Sequence, residues 1–304
     1  MSRALPPGLG EHPFSVRQGE AAGLSRGRMR GRDLARPFRG ARVGRSVRPT
    51  LLERCAAYAC RCPPGHFFSH VTAALLWNVP LPRELERGGA LEVAVLKPGA
   101  MPRSAGIRGH RLAGDGIRVM KRHGLDVADP ASLWCQLARV LSHDDLVAAG
   151  DHLVLVPARL EPADPRPYVE LAELQRRVAA FRGRGAPALR RAMAAVRQGA
   201  ESRAETHLRL AMVRAGLPAP ELQGEIRNAR GGFLGRADMV YRFQRVIVEY
   251  NGDHHRTDPQ QFEDDLVRIE SFRDDGWTVV EVRKRGLYVT LSATLARIRR
   301  ALAF

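Results

Sequence analysis

Between Gly235 and Arg256 the chain alternates apolar and polar residues on both sides of a short polar turn, and the polar set includes Asp238 and Glu249. Alternation with period two is the mark of strands that turn one face to a core, so the segment is expected to form a β-hairpin. Carboxylates on a strand that feeds a core are costly unless something compensates them. A divalent metal is one compensation, and metal-bound carboxylates on neighbouring strands polarise phosphates and activate water. The segment makes the chain a nuclease candidate.

With the turn at Gln244-Arg245, Asp238 stands opposite Asn251 and Val240 opposite Glu249, all four on one face. Asp238 and Glu249 are then diagonal neighbours, close enough for one ion to bridge. Met239, Tyr241, Val248 and Tyr250 take the other face. A turn one residue longer breaks this pairing. Two carboxylates, a backbone carbonyl and waters make a hard oxygen site suited to Mg²⁺. Gly252 permits a sharp strand exit that would turn His254 and His255 back toward the ion, where a histidine accepts a proton near neutral pH.

A net charge of +17 is the second constraint. Apart from Lys97, Lys121 and Lys284 the cations are all Arg, and the first fifty residues hold eleven Arg against three acids. A polyanion partner is the natural reading, because each cation that neutralises a phosphate releases a counterion; a solvated basic surface is the plain alternative. The chain of 304 residues, 44% apolar and 27% charged, has room for two or three cores and is not disordered by composition. It has no run of eighteen apolar residues, and Met1-Ser-Arg-Ala-Leu-Pro-Pro7 lacks the apolar stretch of a signal peptide, so the cytosol is the expected location, with no membrane partner. Cys55, Cys60, Cys62 and Cys135, with His66 nearby, lack the two-residue spacing of a zinc knuckle and read as reduced structural thiols.

The expected class is mixed α/β in several domains. Residues 14–43 read as a winged helix-turn-helix: Ser15 caps a short helix ending near Gly23, Ser25 caps an Arg-rich helix over 26–34, and Pro37 to Val43 forms a wing. Gly27 and Gly31 weaken that second helix by about 1 kcal/mol each relative to Ala. Residues 51–155 form a middle α/β module, with helices at Leu51–Cys60, Ser69–Trp77 and Pro130–Val140 and strands at Leu91–Leu96 and Ile107–Leu112. His70 lies beside an apolar helical face and reads as structural; Asp144 and Asp145 read as acids at a helix start. Residues 156–200 are a linker with helices at 168–181 and 187–197. From 201 to 304 the expected order is α-β-β-α-β-α, with Phe262, Leu266, Ile269 and Phe272 on one face of a helix over Pro259–Asp275.

Several short patterns coincide in the last third: Ser202-x-x-Glu205, Gly216-Leu-Pro, Arg236-Ala-Asp238, Glu249-Tyr-Asn-Gly252 with His255, Asp265-x-x-Arg268 and Gly276-Trp277. As a set they resemble the PD-(D/E)xK nuclease superfamily, nearest to actinobacterial domains allied to very-short-patch-repair (Vsr) endonucleases. The resemblance implies a metal-dependent endodeoxyribonuclease using Mg²⁺ or Mn²⁺ on DNA. It implies that Asp238 and Glu249 bind the metal with the Tyr250 carbonyl as a third ligand, that Glu205 is an accessory acid and that His255 is a candidate base. Where the superfamily has Glu-x-Lys this chain has Glu249-Tyr-Asn251, so Asn251 brings no charge and Arg256 or Arg268 would supply the cation. Upstream, Phe14-Ser-Val-Arg-Gln, Gly23-Leu-Ser-Arg, Phe38-Arg-Gly and Phe68-Ser-His-Val-Thr-Ala-Ala74 with Leu76-Trp77 resemble AbiEi-type antitoxins. That resemblance implies operator binding through Arg26, Arg28, Arg30 and Arg32, and leaves a cognate toxin open as a second partner. The alternative to the nuclease is then an antitoxin-like repressor whose nuclease fold is weak or inactive. Each residue also has a plainer role: Ser202 and Glu205 make a capping box, and Asp265 and Arg268 a surface ion pair.

Overall fold

The computed structural model describes residues 5–6, 8–9, 12–44, 49–87, 89–114, 116–252 and 259–303. The chain is mixed α/β and divides into two compact units, Met1–Leu137 and Ala138–Phe304. Among the described residues no helix is long and apolar enough to cross a membrane.

The first unit opens with β1 (Phe14–Ser15), α1 (Val16–Ala21), β2 (Leu34–Ala35) and β3 (Ala41–Gly44), the strands forming a small sheet in the order β1-β3-β2. Ser15 caps α1 with a reciprocal capping box to Gln18, as its position predicts. The Arg-rich helix expected over 26–34 does not form. Ser25 does accept the Arg28 N–H at 3.1 Å, but only a single 3₁₀ turn, Arg28–Arg30, follows. The two glycines lower helix propensity, and Leu34 is drawn into a strand to share a core with Phe14 and Met29.

Next come α2 (Leu51–Ala59), β4 (Phe67–Phe68), α3 (His70–Leu76), α4 (Arg83–Glu86), β5 (Leu91–Leu96), β6 (Ile107–Leu112), β7 (Val119–Arg122), β8 (Leu125–Ala128) and α5 (Pro130–Leu137). Their strands make a mixed sheet ordered β6-β5-β4-β8-β7, with β5 and β6 parallel. Leu91 to Val95 are all buried, so β5 is covered on both faces instead of alternating, and Glu92 is carried inside with it. Asp129 starts α5 by accepting the Ser132 N–H at 3.1 Å just before Pro130.

The second unit begins with α6 (His143–Val154), α7 (Leu171–Ala180), α8 (Ala186–Ala195) and α9 (Arg203–Arg214). The sequence reading puts α6 in the middle module; it packs on α8 and α9 instead. Asp145 does more than favour the helix dipole. Burial opposes its charge, but the His207 imidazole 3.0 Å away and hydrogen bonds from Ser142 and Arg203 hold its carboxyl well below the usual carboxylate range. Asp151, buried on the same helix, accepts from Arg209 at 2.7 Å and Thr206 at 2.9 Å.

The rest is β9 (Glu221–Arg227), β10 (Phe233–Tyr241), β11 (Val246–Asn251), α10 (Pro259–Asp274), β12 (Thr278–Arg283), α11 (Lys284–Tyr288) and α12 (Leu291–Ala301). The sheet order is β12-β11-β10-β9, with β11 and β12 parallel and α10 as the crossover that a parallel pair requires. Strand β9 and helix α11 are additions to the expected α-β-β-α-β-α order. Met239, Tyr241, Val246 and Val248 share one core with Leu208 and Met212 of α9 and Ile298 of α12. Val240 and Ile247 share another with Phe272 of α10 and Trp277. Of the expected apolar face of α10, Ile269 and Phe272 are buried and Leu266 is exposed; the Phe262 side chain lies outside the described residues.

Candidate active site

The hairpin forms, but its turn is the four residues 242–245, and Met239 pairs with Val248, Val240 with Ile247 and Tyr241 with Val246. The expected opposition of Asp238 to Asn251 and of Val240 to Glu249 is therefore wrong by two residues. A slip of two preserves the face, so Asp238 and Glu249 still meet. Beyond Met239 the two carboxylates take over from the backbone ladder. Asp238 Oδ2 accepts the Tyr250 N–H at 2.8 Å, and Glu249 Oε1 accepts the Asp238 N–H at 3.3 Å.

Around this pair lies a cleft of about 450 Å³ lined by Glu201, Glu205, Gln223, Arg236, Asp238, Glu249, Tyr250, Asn251, Asp265 and Arg268, among others. Helix α9 delivers Glu205, and Ser202 accepts its backbone N–H at 3.1 Å. The capping box is not completed: the Glu205 carboxylate accepts the Glu201 N–H at 2.9 Å. Gln223, which the sequence reading missed along with its strand, points Nε2 between Glu205 Oε2 at 3.5 Å and Asp238 Oδ1 at 3.3 Å.

Five carboxylates and two guanidinium groups line the cleft, an acidic pocket in a strongly basic chain. Burial, together with the charges of Glu201 and Glu249, pushes the Glu205 carboxyl up to about 7. Asp238 is raised well above the carboxylate range, by burial first and then by Glu249 and Glu205. Negative charge is thus under-compensated here.

Glu249 is 2% exposed and has a cation already. Arg268 donates Nη1 to its Oε1 at 3.2 Å and Nη2 to its Oε2 at 3.3 Å, and also bonds Asp265 Oδ1 at 3.2 Å and the Arg236 carbonyl at 2.7 Å. The expected surface pair of Asp265 and Arg268 is therefore one arm of a half-buried fork reaching the cleft. Gly235 makes the crossing feasible: a Cβ there would sit 2.8 Å from Arg268 Cγ and 3.0 Å from Phe272 Cζ. Asn251 turns elsewhere, donating Nδ2 to Glu281 Oε2 at 2.8 Å, and Arg273 bonds the other Glu281 oxygen at 2.7 Å. His254, His255 and Arg256 lie outside the described residues.

In the first unit, Arg26, Arg30 and Arg32 are exposed, while Arg28 is forked onto Asp33 at 3.1 and 2.7 Å. The four cysteines are free thiols. Burial pushes Cys55 up to about 12 and Cys60 up to about 11, and the Tyr58 hydroxyl meets His66 Nδ1 at 2.9 Å.

Asp238 and Glu249 bring carboxylate oxygens, the donor type a hard divalent ion takes, with both Glu249 oxygens bonded to Arg268, and burial with neighbouring negative charge raises the Asp238 and Glu205 carboxyls. Two curated proteins, both described as uncharacterized and from two strains of Mycobacterium tuberculosis, are 29% identical to this chain over 237 residues, spanning 77% of it and 80% of themselves. No protein-family model matches the chain, and no solved structure does.

Proposed function

We propose that the chain is a metal-dependent endonuclease acting on DNA. The observation that carries this reading is the convergence of Glu205, Asp238 and Glu249, from one helix and two strands, in an acidic cleft of a chain with net charge +17. A phosphodiester is repelled by such a cleft unless a cation stands between. Asp238 and Glu249 would hold Mg²⁺ or Mn²⁺, with the Tyr250 carbonyl as a third ligand on the strength of the family resemblance. The ion, when bound, polarises the scissile phosphate and lowers the pKa of water.

The chain's own groups supply the rest. Glu205, beside Asp238 in the cleft, is placed to accept a proton from water, and a bound cation would favour its ionised, basic form. Gln223 fixes the spacing of Glu205 and Asp238 through its amide. Arg236, also in the cleft lining, is a cation for phosphate. The basic surface, including Arg26, Arg30 and Arg32, would hold the duplex through its backbone phosphates.

A second reading, an antitoxin-like repressor with an inactive nuclease fold, is favoured by one specific pair of contacts. The Asn251 amide is engaged by Glu281, and Arg268 occupies both oxygens of Glu249. Cleavage of supercoiled, linear and mismatched DNA in Mg²⁺, Mn²⁺ or EDTA separates the two. Metal-dependent cutting lost in Asp238→Ala supports the nuclease. Salt-sensitive DNA binding with no cutting on any substrate supports the repressor.

A further inference from the structure

The first unit carries a second cluster of ligand-type side chains, unrelated to the carboxylate cleft. Strands β5 and β6 are parallel and pair Glu92 with Arg108 and Ala94 with His110, so Glu92 and His110 are diagonal neighbours on one face. Strand β4 lies on the other side of β5, and the chain leaves it at Ser69, whose N–H bonds the Glu92 carbonyl at 3.0 Å. His70, the first residue of α3, is thereby set over the same spot. One ring nitrogen from each histidine and a Glu92 oxygen lie within 4.8 Å of one another.

Three features of this cluster go beyond an ordinary ion pair. Nε2 of His110 is buried without a hydrogen-bond partner among the described residues, and Glu92 Oε1 stands 3.8 Å away, too far for a bond. The two imidazoles are stacked, centroids 3.8 Å apart and planes 19° apart, so their edges lie side by side and the rings must tilt out of the stack for both lone pairs to meet one ion. His70 is held at φ +48, a left-handed conformation that side chains other than glycine rarely adopt, with its N–H on Gln136 Oε1 at 2.8 Å. Glu92 itself is 6% exposed, and its Oε2 is fixed by the Val71 N–H at 2.8 Å.

We propose that His70, Glu92 and His110 bind a single divalent transition-metal ion of the zinc class. Two imidazoles and one carboxylate form a borderline-soft set that suits zinc, iron or cobalt and disfavours magnesium. Ligands around a tetrahedral ion with bonds of about 2.1 Å stand roughly 3.4 Å apart, so the three side chains close by about an ångström on loading. Three protein ligands leave a fourth position of a tetrahedral ion to be filled by water. Arg108, which reaches Glu92 Oε1 at 3.1 Å, is 71% exposed along its side chain and is free to swing into solvent. Nδ1 of His70 meets Ser69 Oγ at 3.0 Å, an outer contact of the sort that fixes a ligand ring.

The experiment loads the full-length, chelator-stripped protein with Co²⁺ and then displaces it with Zn²⁺. The expected result is one tightly bound equivalent with the intense visible bands of a four-coordinate ion, distinct from the weak six-coordinate bands of any Co²⁺ taken up by the carboxylate cleft. Asp238→Ala keeps those bands, and His110→Ala and Glu92→Gln each weaken binding by at least about 100-fold. Arg108→Ala strengthens it by removing a competing cation. Circular dichroism verifies that the variants fold, and if His110→Ala does not fold, Glu92→Gln, which keeps an acceptor for the Val71 N–H, decides alone. Full affinity in the variants overturns the proposal, as does failure to bind Co²⁺ below millimolar concentration. Ultraviolet thiolate-to-cobalt charge transfer also overturns it, by placing the ion on Cys60 and Cys62.

Discussion

Replacing Glu205 by Gln tests whether the cleft is a store of uncompensated charge. The Glu205 carboxyl moves from an ordinary 4.5 in the unfolded chain to about 7 in the folded one. Each pH interval of one between those values is worth about 1.4 kcal/mol, so ionising Glu205 in place costs the fold about 3 kcal/mol at pH 8. The sign follows from proton counts. Between pH 4.5 and 7 the folded chain holds a proton that the unfolded chain has lost, so stability falls as pH rises through that window. Below it, both states are protonated and nothing is lost. The raised Asp238 carboxyl adds to the same slope. Gln keeps an acceptor for the Glu201 N–H and cannot ionise. Glu205→Gln is therefore expected to match the parent near pH 4 and to exceed it by about 3 kcal/mol at pH 8 in urea unfolding with EDTA present. Saturating Mg²⁺ at pH 8 should close most of that gap by stabilising the parent. Parallel stability curves for the two proteins across pH 4 to 8 would refute the reasoning.

Arg268→Gln strips the buried Glu249 of its partner and is expected to cost about 3–5 kcal/mol, against under about 1 kcal/mol for Asp265→Asn, by the same unfolding assay. Gly235→Ala pushes a methyl against Arg268 and Phe272 and should cost about 1–3 kcal/mol, with a loss of DNA cleavage larger than its loss of stability. Replacing Arg26, Arg30 and Arg32 by Gln should reduce the slope of log binding constant against log salt by about one per arginine that meets a phosphate, measured by fluorescence anisotropy with duplex DNA.

Much of the local structure was legible because its causes are local. Ser15 and Ser202, read as caps, each cap the helix that follows them. The pairing of Asp238 with Glu249 was legible too, since period two survives a slip of two residues, although the register itself depends on a turn length that composition does not dictate. Strand β9 hid because Gly224 and Gln223, at φ +50, interrupt its pattern. The Arg-rich helix failed where tertiary burial of Met29 and Leu34 outweighed a weak propensity. His70, Glu92 and His110 are twenty-two and eighteen residues apart and meet only through sheet order, so no spacing rule marks them.

Arg268 also has a consequence for how the cleft would switch on. A guanidinium resting on Glu249 acts as a placeholder, so the cleft carries a compensating cation at its most buried carboxylate. Under the nuclease reading, an arriving ion does not fill a void; it evicts a tethered competitor. Loading would then proceed by exchange, with its speed governed by the swing of the arginine and its affinity by the difference between two cations. A chelator would silence such an enzyme without unfolding it, and the evicted arginine, still anchored on α10, would be released at the mouth of the cleft, where an incoming phosphate could take it up.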